Sequence, residues 1–189
     1  MKAVIFVKES ERLEHKHLLE ICGEAMLSRV DRILKETRLF EEVIVFSKYE
    51  RLQLKNLRVV NDSTEGTLID SITNALEKFN VFLAVGGDLP LIDIEVVRTI
   101  LEAYGGKPVA AVDADGIVEP LFAVYNHSIL DSLVEFSKQN RNIFPFITES
   151  FDLVHLNETQ SRKLLNVNTN EDYDTANKMI KCPKESSKT

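Results

Sequence analysis

Short runs of consecutive apolar residues recur along this chain and alternate with longer segments whose apolar residues repeat every three or four positions. Continuous apolar runs are typical of strands that are covered on both faces of a parallel sheet. They predict strands over residues 3–7, 42–46, 57–60, 81–85, 108–112 and 153–156. The three-or-four spacing predicts helices over residues 25–36, 66–79, 92–104, 128–136 and 143–150, and a final helix that ends near residue 180.

The alternation of predicted strands and helices indicates a mostly parallel sheet with helices on both faces and right-handed crossovers. Residues 117–125 depart from this order as a long extended run after a turn at 113–116, which predicts an added antiparallel strand or hairpin. Pro120 within that run indicates an edge strand or a bulge, because proline cannot donate a ladder hydrogen bond. The predicted fold is a single three-layer α/β domain over residues 1–181, followed by a polar, disordered tail at 182–189.

Charge and cysteine content narrow the possible functions. A net charge of −7 argues against a general nucleic-acid binder, although one bound nucleotide needs only a few cations. The apolar run at 3–7 is too short for a signal peptide or a membrane span. Cys22 and Cys182 match no zinc spacing, and we interpret Cys22 as a small buried residue and Cys182 as part of the tail. Because no disulfide framework is expected, the predicted location is a reducing cytoplasm.

The stretch from Val81 to Leu91 carries the clearest functional signal. A buried strand ends there at Gly86 and Gly87, which we expect to turn the backbone sharply and leave room for a ligand. Asp88 follows beyond the carboxyl end of that strand, where open α/β sheets bind their ligands. A carboxylate in that place is suited to Mg²⁺ that bridges nucleotide phosphates. Taken alone, Asp88 is equally well explained as the cap of a turn or helix.

Two other polar segments are candidates for phosphate contact. The loop from Lys8 to His17 is long for a strand-to-helix connection and rich in charge, and long loops in compact domains are often functional. A mixed-charge run of this kind is also typical of solvated surface. Residues 64–67 begin a predicted helix, whose free N–H groups bind anions, and the alternative is an ordinary cap by Ser63 or Thr64.

Three motifs, taken in order, resemble those of nucleotidyltransferases of the molybdenum cofactor guanylyltransferase type. They are Gly87-Asp88-Leu89-Pro90-Leu91, Glu119-Pro120-Leu121-Phe122-Ala123-Val124-Tyr125 and Asn166-Val167-Asn168-Thr169-Asn170-Glu171-Asp172. No single motif is specific, whereas their order and spacing are fairly specific for the family. The resemblance extends over nearly the whole chain, from the first strand to the last helix.

The resemblance implies a Rossmann-like nucleotidyltransferase fold and a transfer reaction. A phosphate of the acceptor, expected to be molybdopterin, would attack the α-phosphorus of GTP (or CTP) and release pyrophosphate. Because two polyanions have to meet, the resemblance implies Mg²⁺ bound by Asp88 and triphosphate contacts from Lys16, supported by Arg12. We expect no nucleic-acid or membrane partner, and a monomer or weak homo-oligomer.

The site residues that the resemblance implies fall into two groups. The nucleotide side consists of Phe6, Val7, Lys8, Lys16, Asp62, Gly66 and Asp88, with Asp62 near the base or ribose. The acceptor side consists of Glu119, Pro120 and Asn168, and Asn168 would also lie near the metal. The catalytic residues would be Lys16, Arg12 and Asp88. Asp88 need not act as a base, because the acceptor phosphate is already ionised at neutral pH.

The first loop departs from the family pattern. The family carries Leu-Ala-Gly-Gly where this chain has Phe6-Val7-Lys8-Glu9, so both glycines of a backbone phosphate cradle are absent. Glu9 and Glu14 also place negative charge where phosphate is expected, and Lys8 offsets part of it. The spacing Ser10-x-Arg12-Leu13-x-x-Lys16 instead resembles the loop of sugar-activating cytidylyltransferases, which have a proline in place of Glu14.

Three functions stay open at this point. The first is a transferase that makes a dinucleotide from molybdopterin and GTP or CTP. The second is a cytidylyl- or guanylyltransferase that acts on another phosphorylated small molecule, such as a sugar or lactate phosphate, with an acceptor pocket from segments 119–125 and 140–146. The third is a catalytically weak homologue that binds a nucleotide or a partner. The missing glycines favour this third function, and Lys16, Asp88 and Asn168 argue against it.

Overall fold

A computed structural model describes residues 1–8, 12–49, 52 and 54–182. The strands in these ranges are β1 Lys2–Val7, β2 Glu20–Ile21, β3 Glu24–Ala25, β4 Val43–Ser47, β5 Val59–Asn61, β6 Val81–Gly86, β7 Val109–Val112, β8 Val118–Asn126 and β9 Asp152–His155. The α-helices are α1 Met26–Thr37, α2 Leu68–Phe79, α3 Ile94–Glu102, α4 Leu130–Ser137, α5 Phe144–Ser150, α6 Glu158–Ser161 and α7 Asn170–Met179. Short 3₁₀ helices cover Lys16–Leu18, His127–Ile129 and Arg162–Leu164. All the predicted strands and helices are present, with ends that differ by no more than two residues.

Seven strands form one sheet in the order β5-β4-β1-β6-β8-β7-β9. β1 is parallel to β4 and β6, β4 is parallel to β5, and β7 is parallel to β9. β8 runs antiparallel to both of its neighbours, β6 and β7. These pairings confirm a mostly parallel α/β sheet with an added antiparallel hairpin. The chain moves from β1 outward to β5 and then returns to place β6 on the other side of β1, so the switch point lies between β1 and β6.

Each face of the sheet is covered by helices. α1 and α3 pack on one face through residues such as Leu27 and Ile100, and α2, α4 and α5 pack on the other through residues such as Ile72. Neighbouring residues of β1 serve both faces, since Ile5 belongs to the first cluster and Phe6 to the second. This double coverage explains the continuous apolar runs in the sequence. Truncating one such buried side chain typically lowers the free energy of unfolding by about 2–5 kcal/mol. Packing of this strength on both faces fixes the positions of the strand ends, on which a site can be built.

β8 lies inside the sheet, so the edge-strand interpretation of Pro120 is wrong and the bulge interpretation holds. The pairing of β8 with β7 shifts between Ala110, opposite Ala123, and Ala111, opposite Glu119. Pro120 falls within the extra length of β8 at that shift, where its missing N–H removes no ladder hydrogen bond.

The two cysteines form a disulfide, with Cα atoms 5.2 Å apart, so the expectation of no disulfide is wrong, as is the interpretation of Cys22 as a buried residue. Cys22 is exposed in the turn between β2 and β3, and its φ of 55° is in the left-handed region. The β2–β3 hairpin escaped sequence analysis because each of its strands has only two residues. α7 docks against it, since Ile21 and Ala176 share one apolar cluster. The 160-residue separation of the cysteines explains why no local pattern revealed the bond.

The longest helices in the described ranges, α1 and α2, have 12 residues each. A bilayer core requires about 20 apolar residues in one helix. No described helix therefore has the length and apolar character of a membrane span.

Candidate active site

The carboxyl ends of β1, β4 and β6 open into a cavity of about 220 Å³. Every residue predicted for the nucleotide side lines it, namely Phe6, Val7, Lys8, Lys16, Asp62, Gly66 and Asp88. The other lining residues are His17, Phe46, Lys48, Thr67, Leu68, Ser71, Leu121 and Asn168. The cavity therefore combines aromatic and aliphatic walls with lysine and aspartate side chains, as a site for a charged ligand with an apolar ring requires.

Lys16 connects three distant segments of the chain at this cavity. Its Nζ donates to Asp88 Oδ2 at 2.6 Å and to Asn168 Oδ1 at 2.8 Å. Lys16 is only 5% exposed, so its ammonium has exchanged water for these two oxygens. The structure thus brings together the lysine, the aspartate and the asparagine that the sequence singled out, while their catalytic roles stay predictions.

The two glycines before Asp88 serve the packing of strand ends. The backbone turns at Gly87 and Asp88 directly after β6, as the sequence predicts, although neither glycine has a φ in the left-handed region. A Cβ on Gly87 would lie 2.9 Å from Cγ2 of Val7, and the Gly87 N–H donates to the Phe6 carbonyl at 3.0 Å. Gly87 therefore makes room for β1 and for the start of the loop, and through them places Asp88 at the cavity.

Asn168 is held by the start of α7. Its backbone N–H and that of Thr169 donate to Asp172 Oδ2 at 3.0 and 2.9 Å, and Thr169 accepts from the Asp172 N–H. Burial pushes the pKa of Asp172 up, but the hydrogen bonds from Asn168 and Thr169 outweigh it and the pKa lies below its ordinary value. The N–H of Val167 donates to the Asp88 carbonyl at 2.9 Å, which ties the asparagine segment to the end of β6.

Asp62 and Lys48 organise the wall opposite that segment. Asp62 Oδ1 accepts from the backbone and hydroxyl of Thr64 and from Asn74 at 2.8–3.1 Å. Burial raises the pKa of Asp62, yet hydrogen bonds, the largest from Ser71, bring it below its ordinary value. Lys48 Nζ donates to the carbonyls of Thr64 and Gly66 at 2.9 and 3.0 Å. Residues 64–66 are therefore already ordered by contacts within the protein, and their expected contact with a base or phosphate stays a prediction.

His17 is a buried member of the site that the sequence analysis did not select. It is 3% exposed, and its Nε2 lies 3.0 Å from the Lys8 carbonyl. Burial lowers the pKa of His17, so the ring is neutral near pH 7. Its position directly after Lys16 was the available signal. Lys48 was missed as well, although it follows the carboxyl end of β4 as Asp88 follows β6.

The acceptor-side residues are not gathered in the same cavity. Of Glu119, Pro120 and Asn168, only Asn168 lines it. Pro120 is buried in β8, where its carbonyl accepts from the Tyr125 hydroxyl at 2.9 Å. Glu119 is half-buried, and burial raises its pKa to about 7, partly offset by Asn166.

Arg12 is exposed and does not line the cavity, so the structure does not bring it to Lys16 and Asp88. The predicted supporting contact of Arg12 with phosphate therefore stays a prediction. Glu9 and Ser10, which the loop comparison also used, lie outside the described residues.

Comparisons with known proteins agree with this geometry. A family model for the MobA-like NTP transferase domain matches residues 9–154. A probable molybdenum cofactor guanylyltransferase from Pelotomaculum thermopropionicum is 36% identical over 65% of this chain and 60% of its own length. A protein of the same name from Thermococcus sibiricus is 30% identical over 62% of this chain and 64% of its own length. The chain thus matches less than two thirds of either relative's length.

A solved structure extends the comparison to the whole fold. Molybdopterin-guanine dinucleotide biosynthesis protein A from Archaeoglobus fulgidus superposes with a TM-score of 0.71 at 22% identity, over 94% of this chain and 97% of that chain. At that identity the likeness supports the fold alone. Because the family model spans most of the described sheet, from the first loop to β9, this chain belongs to the MobA-like NTP transferase family.

Proposed function

We propose that this chain transfers a guanylyl group from GTP to a phosphorylated acceptor, molybdopterin, and releases pyrophosphate. An oxygen of the acceptor phosphate bonds to the α-phosphorus while the bond from that phosphorus to the oxygen of the β-phosphate breaks. The observation that carries the proposal is the meeting of Lys16, Asp88 and Asn168 at the carboxyl end of β6. The names of the two relatives supply the choice of nucleotide and acceptor.

The oxygen donors at this cluster fit Mg²⁺. Asp88 Oδ2 and Asn168 Oδ1 converge on the Lys16 ammonium, so a positive charge already lies between two hard oxygen atoms. In the part of the chain that the structure describes, no three His, Cys, Asp or Glu side chains form a metal cluster. Asp88 and Asn168 would therefore hold the ion together with water and phosphate oxygens, which is the usual way that proteins bind Mg²⁺. Bound there, Mg²⁺ would neutralise charge on the reacting phosphates.

The protein itself contributes binding, orientation and charge. Lys16 would turn from Asp88 to phosphate when the nucleotide binds, because the same ammonium cannot satisfy every oxygen. Phe6 and Phe46, whose rings meet edge to face with centroids 5.6 Å apart, would cover one side of the nucleotide and exclude water. Asp62 and Lys48 would keep the segment at Gly66 in place.

The test is pyrophosphate release by the full chain with GTP, CTP, ATP or UTP, with and without Mg²⁺ and with molybdopterin as acceptor. We expect turnover with GTP, Mg²⁺ and acceptor together. Asp88→Asn keeps the shape but removes the charge, so we expect turnover to fall by about a hundredfold or more. Asp93→Asn, which changes the N-cap of α3 outside the cavity, is the matched control and should keep turnover within about twofold.

Two results would contradict the proposal. If no nucleotide raises the melting temperature of the chain, it does not bind one in its folded state and the whole proposal fails. If Asp88→Asn turns over as fast as the wild type, Asp88 has no part in the reaction.

A second candidate is cytidylyl transfer to another phosphorylated small molecule. The Ser10-x-Arg12-Leu13-x-x-Lys16 spacing of the first loop favours it over guanylyl transfer. The same assay separates the two functions, because this candidate requires turnover with CTP and a sugar phosphate in the absence of molybdopterin.

A further inference from the structure

The cavity is lined by three lysines that differ in their availability to a ligand. The ammonium of Lys16 is bound by Asp88 and Asn168, and that of Lys48 is bound by the carbonyls of Thr64 and Gly66. Lys8 is exposed, and among the described residues its ammonium has no hydrogen-bond or ion-pair partner. A ligand can therefore contact the ammonium of Lys8 without breaking a bond within the described protein.

The backbone at Lys8 is nevertheless fixed from two sides. His17 Nε2 lies 3.0 Å from the Lys8 carbonyl, and a carbonyl only accepts, so Nε2 carries the proton and donates. The preceding carbonyl, that of Val7, accepts from the N–H of Lys48 at 3.0 Å. His17 is itself held by its burial and by the ring of Tyr49, which it meets edge to face at 6.1 Å. The direction in which Lys8 leaves β1 is therefore set by contacts within the protein.

Lys8 stands where the family pattern has a glycine, whose backbone N–H would help to cradle phosphate. A lysine cannot reproduce a backbone cradle, but its ammonium offers three donors and a full charge. We propose that Lys8, positioned by His17, contacts the polyphosphate of the bound nucleotide through its ammonium. This contact replaces the one that the backbone N–H of the missing glycine would make. The inference rests on the proposed function, because it requires a nucleoside triphosphate in the cavity.

A contact of this kind depends on the number of phosphates and on ionic strength. Lys8 is exposed, so its attraction to phosphate is screened by salt more strongly than a buried pair would be. A monophosphate offers fewer oxygens and less charge than a triphosphate. Loss of Lys8 should therefore weaken triphosphate binding much more than monophosphate binding.

The experiment compares the dissociation constants of GTP, GMP, CTP and CMP for the wild type and Lys8→Met at constant Mg²⁺ and at two salt concentrations. Loss of one charge-assisted hydrogen bond weakens binding by about tenfold or more, so we expect that loss for the triphosphates and at most about twofold for the monophosphates. The salt dependence of triphosphate binding should also become shallower. Lys138→Met removes the same charge from the exposed C-cap of α4 and should change no dissociation constant by more than about twofold.

The positioning role of His17 is tested with a pair of variants. In His17→Gln the side-chain amide can donate to the Lys8 carbonyl as Nε2 does, whereas in His17→Leu that donor is absent. We expect triphosphate affinity within about threefold of the wild type for Gln and about tenfold weaker for Leu, with the melting temperature recorded for both. If His17 only stabilised the fold, the losses of affinity would follow the losses of melting temperature. If His17 positions Lys8, we expect the KM for the triphosphate to rise in His17→Leu while kcat stays nearly unchanged.

The outcomes separate this inference from the function on which it rests. If the wild type binds no nucleotide, the proposed function fails. If the wild type binds triphosphate and Lys8→Met binds it equally well, or loses monophosphate binding to the same extent, the inference is overturned and the function stands. Equal affinities for His17→Gln and His17→Leu would remove His17 from the inference.

Discussion

The residues predicted for the nucleotide side and those predicted for the acceptor side are held differently in the fold. On the nucleotide side, the buried carboxylate of Asp62 accepts from Thr64 and Asn74, and the ammonium of Lys48 binds the same segment. On the acceptor side, Glu119 is half-buried near the charges of Asp113 and Asp88, and no ion pair of the described residues includes it. The polar groups around Asp62 and Lys48 therefore have partners within the protein, whereas Glu119 lies among other carboxylates without a cation of the described residues to pair with it.

The directions of the pKa shifts express the same contrast. Burial alone would raise the pKa of both carboxyls, but hydrogen bonds lower that of Asp62 below its ordinary value while that of Glu119 rises to about 7. Hydrogen bonds therefore outweigh the effect of burial on Asp62, whereas the effect of burial on Glu119 is only partly offset by Asn166. We infer that the wall around Asp62 is preorganised. The Glu119 carboxyl is instead stabilised either by keeping its proton or by gaining hydrogen-bond donors from a ligand.

The largest effect is expected for Asp62→Ala, which removes the carboxylate that orders the predicted nucleotide wall. The variant leaves the partly buried N–H of Thr64 and amide of Asn74 without their acceptor, so we expect the free energy of unfolding to fall by about 2–3 kcal/mol. Chemical denaturation measures this loss. Asp93→Ala removes the N-cap of α3 away from the cavity and should cost about 1 kcal/mol. A loss for Asp62→Ala no larger than for this control would show that the wall is not preorganised by Asp62.

Lys48→Met is expected to have a smaller and more selective effect. Methionine keeps the aliphatic packing but releases the carbonyls of Thr64 and Gly66, so the segment at Gly66 gains freedom that the nucleotide must remove on binding. We expect the KM for the nucleotide to rise about tenfold at nearly constant kcat, measured by pyrophosphate release. A fall in kcat with unchanged KM would place Lys48 in the chemical step instead.

The third expected effect is a pH dependence at Glu119, which is present only at one end of the pH range. In the folded chain the pKa of Glu119 is about 7, against an ordinary value of 4.5. Between these values the folded state keeps a proton that the unfolded state loses, so its contribution to stability is complete below pH 4.5 and disappears as the pH rises through 7. Glu119→Gln should therefore unfold with a free energy about 1–2 kcal/mol above the wild type at pH 8, after allowance for solvent screening, and with little difference near pH 4.5.

Denaturation of both proteins at these two pH values tests the prediction, because the difference cancels the titration of other carboxyls. A difference that does not change with pH would mean that Glu119 titrates in the folded chain as it does in the unfolded chain.

Much of the fold followed from the sequence because strands covered on both faces leave long apolar runs. β1 and β6 are the clearest cases, since their buried residues form unbroken series in the chain. The position of β8 between β6 and β7 was not predictable in the same way, because strand order depends on pairing between distant segments. The β2–β3 hairpin and the disulfide had no local signal of sufficient length.

The site was predictable where a residue follows the end of a buried strand. Asp88 follows the end of β6 after a single glycine, and the resemblance predicted Lys16 and Asn168 beside it. His17 could not be recognised as a buried residue, because its surroundings come from Lys8 and Tyr49, which are 9 and 32 positions away in the sequence. The mixed charges of the loop from Lys8 to His17 were equally typical of a segment that is fully exposed to solvent.

The disulfide closes residues 22–182 into a covalent ring that contains most of the fold. β1 and Lys16 belong to the arm that precedes the ring. A protease that cut the exposed turn at 114–116 would open the ring, yet the two pieces would separate only after a thiol reductant was added. A cut just before Cys22 would instead leave β1, together with the lysine that bridges Asp88 and Asn168, held to the ring by noncovalent contacts alone.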